Sequence, residues 1–590
     1  MTSTSPLPAP QTRYNRFLLL VAGLGGLLYG VDVGIIAGAL PYLEASSPLN
    51  AGQLSYIVAA VLLGGAISTL FAGLLADWLG RKWMMIISGV LFVVSIPMIA
   101  LAQGYGPLIW GRLLQGISGG LIGVVVPLYL AECLDASSRG KGTGIFQWLL
   151  TLGIMAAAFI GLYYSHQLEE VTKTGTKEMI LAYNDHAWRS IFWVSLPPGI
   201  LFVLGSFMVA ESPRWLFRRG RTDAARAALL RSRSEAQTVV ELQEMEATAA
   251  AEKAQSAVGG GAGRESLWHR KYIIPFLLAC VILACNQATG INSIIGYNPT
   301  ILLQGGLSDF WAHGGYVILT IVNFLITMAG VALVDRKGRK FLLSLGTAGI
   351  IISLLCAGIL FRNVESGRVD CQQAVQALVT PDQKLTLTND AKTVAHLLGK
   401  NDTAGKPTTL VIIYSYGDFR ASTPAIRSDN PVAKPIEITR GDCVPKTKVA
   451  AFFSNPFASL DAATNAPLRI DNAVITPVPS GETGWLVAVC LFVFMAFYAV
   501  GPGVCVWLAL SELMPTRIRS NGMSIALMLN IAVSVIIAGV FLPTVGKYGY
   551  STMFFLFAGC TVVYFITAAF FLPETKGKTL EEIEAHFEGK

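Results

Sequence analysis

Charged residues are scarce in this chain of 590 residues, of which 14% are charged and 53% are hydrophobic. About a quarter of the residues of a typical soluble domain are charged, so the composition excludes an ordinary soluble protein. Apolar runs of about 20 residues recur, each long enough to cross a bilayer as a helix. Their unbroken apolar character excludes a transmembrane barrel, whose strands alternate polar and apolar residues. The sequence therefore predicts an all-α membrane protein.

Patterns that carry catalytic chemistry are also lacking. Only six histidines are present, and no nucleophile, base and acid occur in a catalytic arrangement. No pair among the nine cysteines has zinc-site spacing. The run "GISGG" at 116–120 lies inside an apolar segment without a preceding strand, which excludes a phosphate-binding or dinucleotide-binding loop. We therefore expect no enzyme activity, no metal and no cofactor.

Twelve apolar segments are predicted to span the membrane, so both termini lie on the same side. They cover residues 17–40, 54–76, 83–102, 107–130, 143–163, 190–209, 271–302, 313–334, 341–361, 484–510, 520–543 and 551–572. Loops after even-numbered segments are basic, whereas those after the first, third and seventh contain no Lys or Arg. By the positive-inside rule, both termini and the basic loops of this cell-membrane protein are cytoplasmic. The same rule explains the net charge of +7 better than nucleic-acid binding does.

Two segments are too polar to span the membrane. Residues 212–270 are predicted to form a cytoplasmic helical linker that ends in a flexible "GGGAG" run. Residues 362–483 lie outside, either as a small folded cap or as a disordered loop. In an oxidising compartment Cys371 and Cys443 could form a disulfide. A glycosylation sequon begins at Asn401, and the sequence identifies no protein partner for this insertion.

Internal repeats divide the membrane part into two six-helix halves. "GLLADWLGRK" at 73–82 recurs as "GVALVDRKGRK" at 330–340, and "AECLDASSRG" at 131–140 recurs as "SELMPTRIRS" at 511–520. The second pair is farther apart than the first by the length of the insertion. Parallel repeats of this kind form an alternating-access architecture. The predicted units are a cytoplasmic tail (1–16), the first half (17–211), the linker (212–270), helices 7–9 (271–361), the insertion (362–483), helices 10–12 (484–572) and a second cytoplasmic tail (573–590).

These motifs resemble those of a known family. The paired D-x-x-G-R-K loops are similar to the signature of the major facilitator superfamily. "PLYLAECLDASSRG", "ESPRWL", "NQATGIN", "GPGVCVW" and "PETKGKTLEEI" resemble its sugar porter branch. The resemblance covers both halves and implies the major facilitator fold, with twelve helices in two pseudo-symmetric halves. It also implies transport of a neutral sugar or polyol. The insertion is similar only in position to the long loops of inositol carriers.

Asp32 is a carboxylate in the middle of the first predicted helix. A charge at that depth costs about 2.5–3.5 kcal/mol, so the side chain must face a cavity or a partner. Arg112 in the fourth helix is the candidate partner. One interpretation is a carboxylate that only packs helices together; the other is a proton-binding group. The resemblance favours the second, because proton-coupled members keep an acid at this position.

Neutral amides and aromatic rings in the spans are candidates for binding a sugar, which needs many uncharged hydrogen-bond partners. They are Tyr29, Gln147, Asn286, Gln287, Asn292, Asn323, Trp507 and Asn530. The spacing of Gln287 and Asn292 predicts that both reach one side of a helix around Gly290. Each amide could instead hold helices together. The resemblance places these residues around a central sugar site, where Trp507 packs against the substrate.

Several positions depart from the family pattern. Asn286 replaces a common Gln, Gly296 replaces one of a usual pair of tyrosines, and Ile531 stands where a Trp is frequent. Ala499 lacks an acid that is found near this point in some members. Since Gly296 and Ile531 remove bulk and polar contacts, we expect the pocket to accept a different or larger polyol, and the sequence does not identify glucose as the substrate.

Charged residues in the loops form a second group of candidates. They are Asp77, Arg81, Glu132, Arg139, Glu211, Asp335, Arg339, Glu512 and Arg519. They could serve topology alone, or form a cytoplasmic salt-bridge latch that favours the outward-open state. Trp78 replaces an Arg that is common after the first motif acid, which predicts a weaker latch in the first half.

The sequence thus predicts a transporter that imports a monosaccharide or polyol together with a proton. A facilitator without proton coupling is the nearest alternative, and Asp32 with Arg112 argues against it. A sugar sensor that does not transport is a third possibility. Such sensors carry long cytoplasmic extensions, whereas the large insertion of this chain is predicted to lie outside.

Overall fold

The computed structural model describes residues 9–134, 136–258, 269–399, 407–429, 435–514, 519–575 and 587. Within these ranges it describes no side chain at 9–10, 136–143, 248–249, 251–258, 335, 449, 453, 507–512, 519–521 and 524. The "GGGAG" run and the sequon at Asn401 lie outside the described residues.

Twelve helical segments in the described part of the chain are long and apolar enough to cross a membrane, which confirms the predicted fold class. The first half contains α1 (Ala9–Ser46), α2 (Ala51–Leu79), α3 (Arg81–Ala100), α4 (Tyr105–Cys133), α5 (Ala136–Thr174), α6 (Lys177–Trp193) and α7 (Leu196–Met208). The linker contains α8 (Pro213–Arg218), α9 (Thr222–Leu230) and α10 (Glu235–Val258). The second half begins with α11 (Arg270–Ala288), α12 (Ile291–Gly296), α13 (Asn298–Gln304), α14 (Asp309–Lys337) and α15 (Arg339–Glu365).

The insertion is a folded cap of helices and strands, followed by the last membrane helices. Its helices are α16 (Gln372–Gln376), α17 (Ala391–Leu398), α18 (Lys448–Ser454) and α19 (Leu460–Asn465). Its strands are β1 (Val369–Asp370), β2 (Leu385–Leu387), β3 (Thr408–Tyr416), β4 (Phe419–Ser422), β5 (Ile426–Arg427), β6 (Ile436–Ile438) and β7 (Leu468–Pro477). The chain then forms α20 (Gly481–Val500), α21 (Pro502–Leu513), α22 (Arg519–Tyr548) and α23 (Tyr550–Ile566).

Three predicted spans are not continuous helices. The predicted segment 271–302 breaks at Gly290, whose φ of +84° is a left-handed conformation that ends α11. A Cβ at this position would lie 2.4 Å from the Phe557 ring, so the break also needs the absence of a side chain. The predicted segment 484–510 breaks at Gly501, because Pro502 starts α21 and has no N–H to continue α20. The predicted segment 190–209 is divided between α6 and α7.

Among the described residues, the two halves share one hydrophobic cluster at one end of the bundle and form separate clusters towards the other. We call the end from which the cap projects the insertion end, and the end at which α2 is followed by α3 the terminal end. One hydrophobic cluster at the insertion end contains residues of both halves, such as Leu40 and Tyr316. Towards the terminal end, one cluster belongs to the first half and another to the second.

Hydrogen bonds reinforce closure at the insertion end. The Tyr316 hydroxyl on α14 donates to the carbonyl oxygen of Gly34 on α1 at 3.2 Å. Nε2 of His313, one turn away, lies 3.3 Å from the carbonyl oxygen of Gly38. His313 also stacks on Tyr42 with the ring centres 5.4 Å apart. The second half is therefore bonded directly to the backbone of α1.

The cap has its own core and a main antiparallel sheet. The strand order is β1-β7-β3-β4, with β5 on the other part of β3, and β2 pairs separately with β6. The Val/Ile-rich "TTLVIIYSY" stretch forms β3, the central strand. Leu410, Ile412 and Tyr414 point into a core of buried apolar side chains. The described residues between 366 and 480 thus form a compact unit rather than a disordered loop.

The predicted disulfide between Cys371 and Cys443 is wrong, because both cysteines are free in the structure. The Cys371 thiol donates to the carbonyl oxygen of Ala473, which pairs with Ile412 on β3. Cys443 interacts instead with the backbone of Tyr416, four residues further along β3. Four strand residues cover about 13 Å, which is beyond the reach of one disulfide. Burial raises the pKa of both thiols to about 12.

Candidate functional site

Asp32 and Arg112 form a buried ion pair between α1 and α4. Nη1 of Arg112 lies 3.9 Å from Oδ1 of Asp32, and each side chain is 1% exposed. Nη1 also donates to the Gln115 side chain one turn along α4. The guanidinium lies 5.5 Å from the centre of the Phe192 ring, which adds a cation–π contact. The partner that the sequence predicted for Asp32 is therefore in place.

The Asp32 carboxylate has no hydrogen-bond donor among the described residues. Neither of its oxygens accepts a hydrogen bond from any described residue, although both are buried. A Cβ on Gly119 would lie 2.7 Å from Oδ2, so this glycine of α4 makes the space that the carboxylate occupies. The Tyr29 ring, one turn before Asp32 on α1, packs against the same glycine. A buried ionised carboxylate without hydrogen bonds is costly, which favours taking up a proton.

Three of the predicted amides form one hydrogen-bonded cluster in the second half. Nε2 of Gln287 donates to Oδ1 of Asn530 at 3.1 Å, and Nδ2 of Asn292 donates to Oε1 of Gln287 at 2.9 Å. Asn292 also donates to the Ser534 hydroxyl at 2.7 Å, while Asn530 donates to the Leu283 carbonyl at 2.9 Å. We call Gln287, Asn292, Asn530 and Ser534 the amide cluster. It joins α11, α12 and α22 across the helix break.

The helix break at Gly290 explains how the amide cluster forms. Gln287 lies near the end of α11, and Asn292 lies in the first turn of α12. The left-handed Gly290 between them turns the chain, so the two side chains meet directly. The sequence predicted that the two residues share one side of a continuous helix. Their proximity is observed, but its cause is the broken helix.

Asn286 belongs to a different environment from its neighbour Gln287. Its Nδ2 donates to the Tyr498 hydroxyl of α20 at 3.4 Å, and its Oδ1 is buried without a partner. Sequence reasoning missed both Tyr498 and Ser534. Ser534 follows Asn530 by one helical turn, a spacing that could have indicated it. Nothing comparable pointed to Tyr498, which lies in an otherwise apolar run.

The other predicted substrate residues are outside the amide cluster. Gln147 on α5 is exposed, and Asn323 on α14 accepts a hydrogen bond at 3.4 Å from Thr327 of the same helix. Trp148 and Phe324, which follow these two polar residues, are in ring contact at 5.8 Å. Gln147 and Asn323 therefore lie where α5 of one half faces α14 of the other. The side chain of Trp507 lies outside the described residues.

Four predicted loop charges of the first half meet at the terminal end. Nε of Arg81 lies 2.8 Å from Glu132, and Nη2 lies 2.9 Å from Asp77. Glu211 accepts hydrogen bonds from the backbone N–H groups of Arg81 and Lys82 at 2.9 and 3.0 Å. Burial raises the pKa of the Glu211 carboxyl, while these N–H groups lower it. Asp77, Arg81, Glu132 and Glu211 thus tie α2, α3 and α4 to the start of the linker.

The second half repeats part of this arrangement. Glu574 accepts hydrogen bonds from the backbone N–H groups of Arg339 and Lys340 at 3.0 and 3.1 Å, as Glu211 does for α3. Glu574 was not predicted from the sequence. The matching D-x-x-G-R-K loops are the signal for it, because they predict that a second acid caps the start of α15 as Glu211 caps α3. The side chains of four further predicted latch residues lie outside the description: Arg139, Asp335, Glu512 and Arg519.

The described arrangement suits binding and proton exchange rather than bond making. The amide cluster presents uncharged donors and acceptors, and the Asp32–Arg112 pair holds an ionisable group away from water. Among the described residues, no group of three or more His, Cys, Asp and Glu side chains could hold a metal ion.

Comparison with known proteins agrees with this architecture. The family model described as "Sugar (and other) transporter" matches residues 18–379 and 472–587, so the unmatched stretch lies within the cap. The glucose transporter GlcP of Staphylococcus epidermidis is 25% identical over 97% of both chains. The human proton myo-inositol cotransporter is 26% identical over 98% of this chain and 83% of its own. The arabinose-proton symporter of Bacillus subtilis is 30% identical over 60% of this chain and 74% of its own.

Solved structures agree on the fold. The xylose transporter XylE from E. coli, in a partially occluded inward-open conformation, has a TM-score of 0.62 and 20% identity, covering 96% of this chain and all of that chain. The two-part family match and the twelve spans in two halves lead to one conclusion. The chain is a multi-pass membrane transporter, not an enzyme, and belongs to the family described as sugar (and other) transporters.

Proposed function

We propose that this protein imports a monosaccharide or polyol by proton symport, through alternating access. The observation that carries the proposal is the buried Asp32–Arg112 pair, whose carboxylate has no hydrogen-bond partner among the described residues. Such a carboxylate inside a membrane protein is a recurrent feature of proton relays. The printed names of two relatives, a proton myo-inositol cotransporter and an arabinose-proton symporter, support proton coupling.

The amide cluster supports a neutral polyhydroxylated substrate. Gln287, Asn292, Asn530 and Ser534 offer donors and acceptors without a full charge, which matches hydroxyl groups that both donate and accept. In the described structure these groups bond to one another. Substrate hydroxyls would replace those bonds, so the cluster is stable both empty and occupied. A charged substrate would lack a counter-ion at this cluster.

The separation of the halves at one end supports alternating access. We assign the terminal end to the cytoplasm, because the loops there carry the basic residues. The insertion end, closed by the bonds of Tyr316 and His313 to α1, then faces outwards. The described state is thus inward-facing. Import requires the opposite state, in which these outer contacts break and the two halves meet at the cytoplasmic end.

The loop charges would control that second state. Asp77, Arg81, Glu132 and Glu211 already order the cytoplasmic ends of α2, α3 and α4. We propose that this cluster and its counterpart around Arg339 and Glu512 latch the two halves together when the protein faces outwards.

Proton coupling would act through the distance between Asp32 and Arg112. At 3.9 Å the attraction between the two charges is about 4 kcal/mol at an effective dielectric constant of 20. Protonation of Asp32 removes that attraction and frees α1 to move relative to α4. The membrane potential supplies about 2.3 kcal/mol for one charge at 100 mV, which corresponds to roughly 50-fold accumulation.

Uptake into proteoliposomes tests the proposal. Purified protein would be given radiolabelled myo-inositol, D-glucose, D-xylose or L-arabinose, with an imposed pH difference or with none. We expect at least one solute to accumulate only when the outside is more acidic. Equal uptake with and without the pH difference would instead identify a facilitator, and binding without any uptake would identify a sensor.

A further inference from the structure

The cap is bonded to both halves at the insertion end. Nδ2 of Asn50, between α1 and α2, donates to the carbonyl oxygen of Asp442 in the cap at 2.6 Å. On the other side, Nη1 of Arg427 in the cap donates to the Leu303 carbonyl of α13 at 2.8 Å. Arg427 also pairs with Asp429 at 2.7 Å, which lowers the pKa of that carboxyl and keeps the pair charged. The cap therefore bridges the closed end of the bundle.

A recess of about 780 Å³, open solvent included, lies where the cap and the two halves meet. The first half contributes Glu44 to its wall, the second half contributes Thr300 and Tyr550, and the cap contributes Arg368 and Thr409. The recess is distinct from the amide cluster, none of whose residues lines it.

Three polar groups of the recess lack partners. Thr300 is only 6% exposed, and its hydroxyl makes no hydrogen bond with any described residue. Nε of Arg368 is also buried without a partner, although the same guanidinium lies 3.3 Å from Glu365. Among the described residues, the Glu44 carboxylate has neither a hydrogen bond nor an ion pair. The Thr300 hydroxyl and Nε of Arg368 are buried, whereas Glu44 is half-buried. Buried polar groups are normally paired, so the two buried groups retain hydrogen-bonding capacity for a bound molecule, as the unpaired Glu44 does.

The chemistry of the wall selects the class of ligand. Glu44 only accepts hydrogen bonds when it is ionised, Nε of Arg368 only donates, and the Thr300 hydroxyl does both. An anion would be repelled by Glu44 and Glu365, and a cation bound at Glu44 could not accept a hydrogen bond from Nε of Arg368. A hydroxyl group can pair with each of these three groups, because it both donates and accepts hydrogen bonds. The apolar surface of Phe361 and Tyr550 suits the C–H face of a ring.

We propose that this recess is a second binding site, which takes a small neutral polyhydroxylated solute. Glu44 lies on the first half, whereas Thr300 lies on the second and Arg368 lies in the cap. The complete site therefore exists only while the insertion end is closed. On the orientation given under the proposed function, a solute bound there from outside stabilises the inward-facing state and slows the return to the outward-facing state. The site thus inhibits transport at high external solute concentration.

Binding to the purified full-length chain tests this proposal. Isothermal titration with myo-inositol, D-glucose and D-xylose should reveal two classes of site for the solute that is transported. Thr300→Val keeps the side-chain shape and removes the hydroxyl, so it should weaken the second class by roughly three- to tenfold. Glu44→Gln tests the same site from the other half. Both variants should also relieve inhibition of uptake at high external solute concentration.

Two matched variants separate the outcomes. Thr552→Val is the control, because Thr552 is exposed on α23, bonds only to the Tyr548 carbonyl and does not line the recess. Asn292→Ala should weaken the other class of site and leave the second in place. A single class of site that Asn292→Ala removes and that Thr300→Val and Glu44→Gln leave unchanged would overturn this inference alone. The absence of binding by all three solutes would overturn both it and the proposed function.

Discussion

The sharpest prediction concerns the replacement of Asp32 by asparagine. The substitution keeps the side-chain size but removes the charge 3.9 Å from Arg112, and so removes an attraction of about 4 kcal/mol. Without a group that takes up a proton, the potential of 100 mV can no longer drive the roughly 50-fold accumulation calculated above. We expect the Asp32→Asn variant to bind solute and exchange it across the membrane, but to accumulate none above its external concentration.

The assay compares counterflow with uptake driven by a pH difference in the same proteoliposomes. Asp185→Asn is a matched control: Asp185 also pairs with an arginine, Arg189 at 3.0 Å, but its side chain is half-exposed. Exposed ion pairs contribute little, so this control should accumulate solute like the unaltered protein. Accumulation by Asp32→Asn at the level of the control would refute the role given to Asp32.

Three further substitutions test other parts of the structure. Asn292→Ala removes two hydrogen bonds of 2.9 and 2.7 Å and should weaken solute binding about tenfold in equilibrium titrations; unchanged affinity would place the substrate elsewhere. Glu132→Gln removes the buried one of the two carboxylates that pair with Arg81, leaving only the exposed Asp77, and should destabilise the protein by about 3 kcal/mol, measured as a lower midpoint of thermal unfolding; an unchanged midpoint would contradict the buried pair. Arg427→Ala should speed hydrogen exchange in β5 while α20–α23 stay protected; unchanged exchange in β5 would show that Arg427 does not dock the cap.

The membrane fold follows from the sequence because its signal is strong and local. Twenty consecutive apolar residues admit few alternatives to a spanning helix, so the number of spans was predicted correctly. The breaks at Gly290 and Gly501 were not predicted. An apolar run has the same composition whether its helix is straight or interrupted. The ring that excludes a side chain at Gly290 belongs to Phe557, which is distant in sequence.

The site was predicted unevenly, for a physical reason. Polar residues in apolar spans are costly, so Asp32, Arg112 and the members of the amide cluster except Ser534 were conspicuous in the sequence. Which amides meet depends on helix packing: Gln287 joins Asn530, whereas its neighbour Asn286 contacts Tyr498. The cap lies outside the membrane, where polar composition is ordinary. There the sequence left a folded cap and a loop as alternatives and suggested a disulfide that is not formed.

The measurement that tests the central claim most directly is proton movement caused by the solute itself. Protein in proteoliposomes would be placed in weakly buffered medium without a pre-imposed gradient, and a transported solute would be added outside while the external pH is recorded. Symport predicts alkalinisation outside as each solute molecule carries a proton inwards, and no such change for Asp32→Asn. If radiolabelled solute enters vesicles that contain the unaltered protein while the external pH stays constant, proton symport is contradicted.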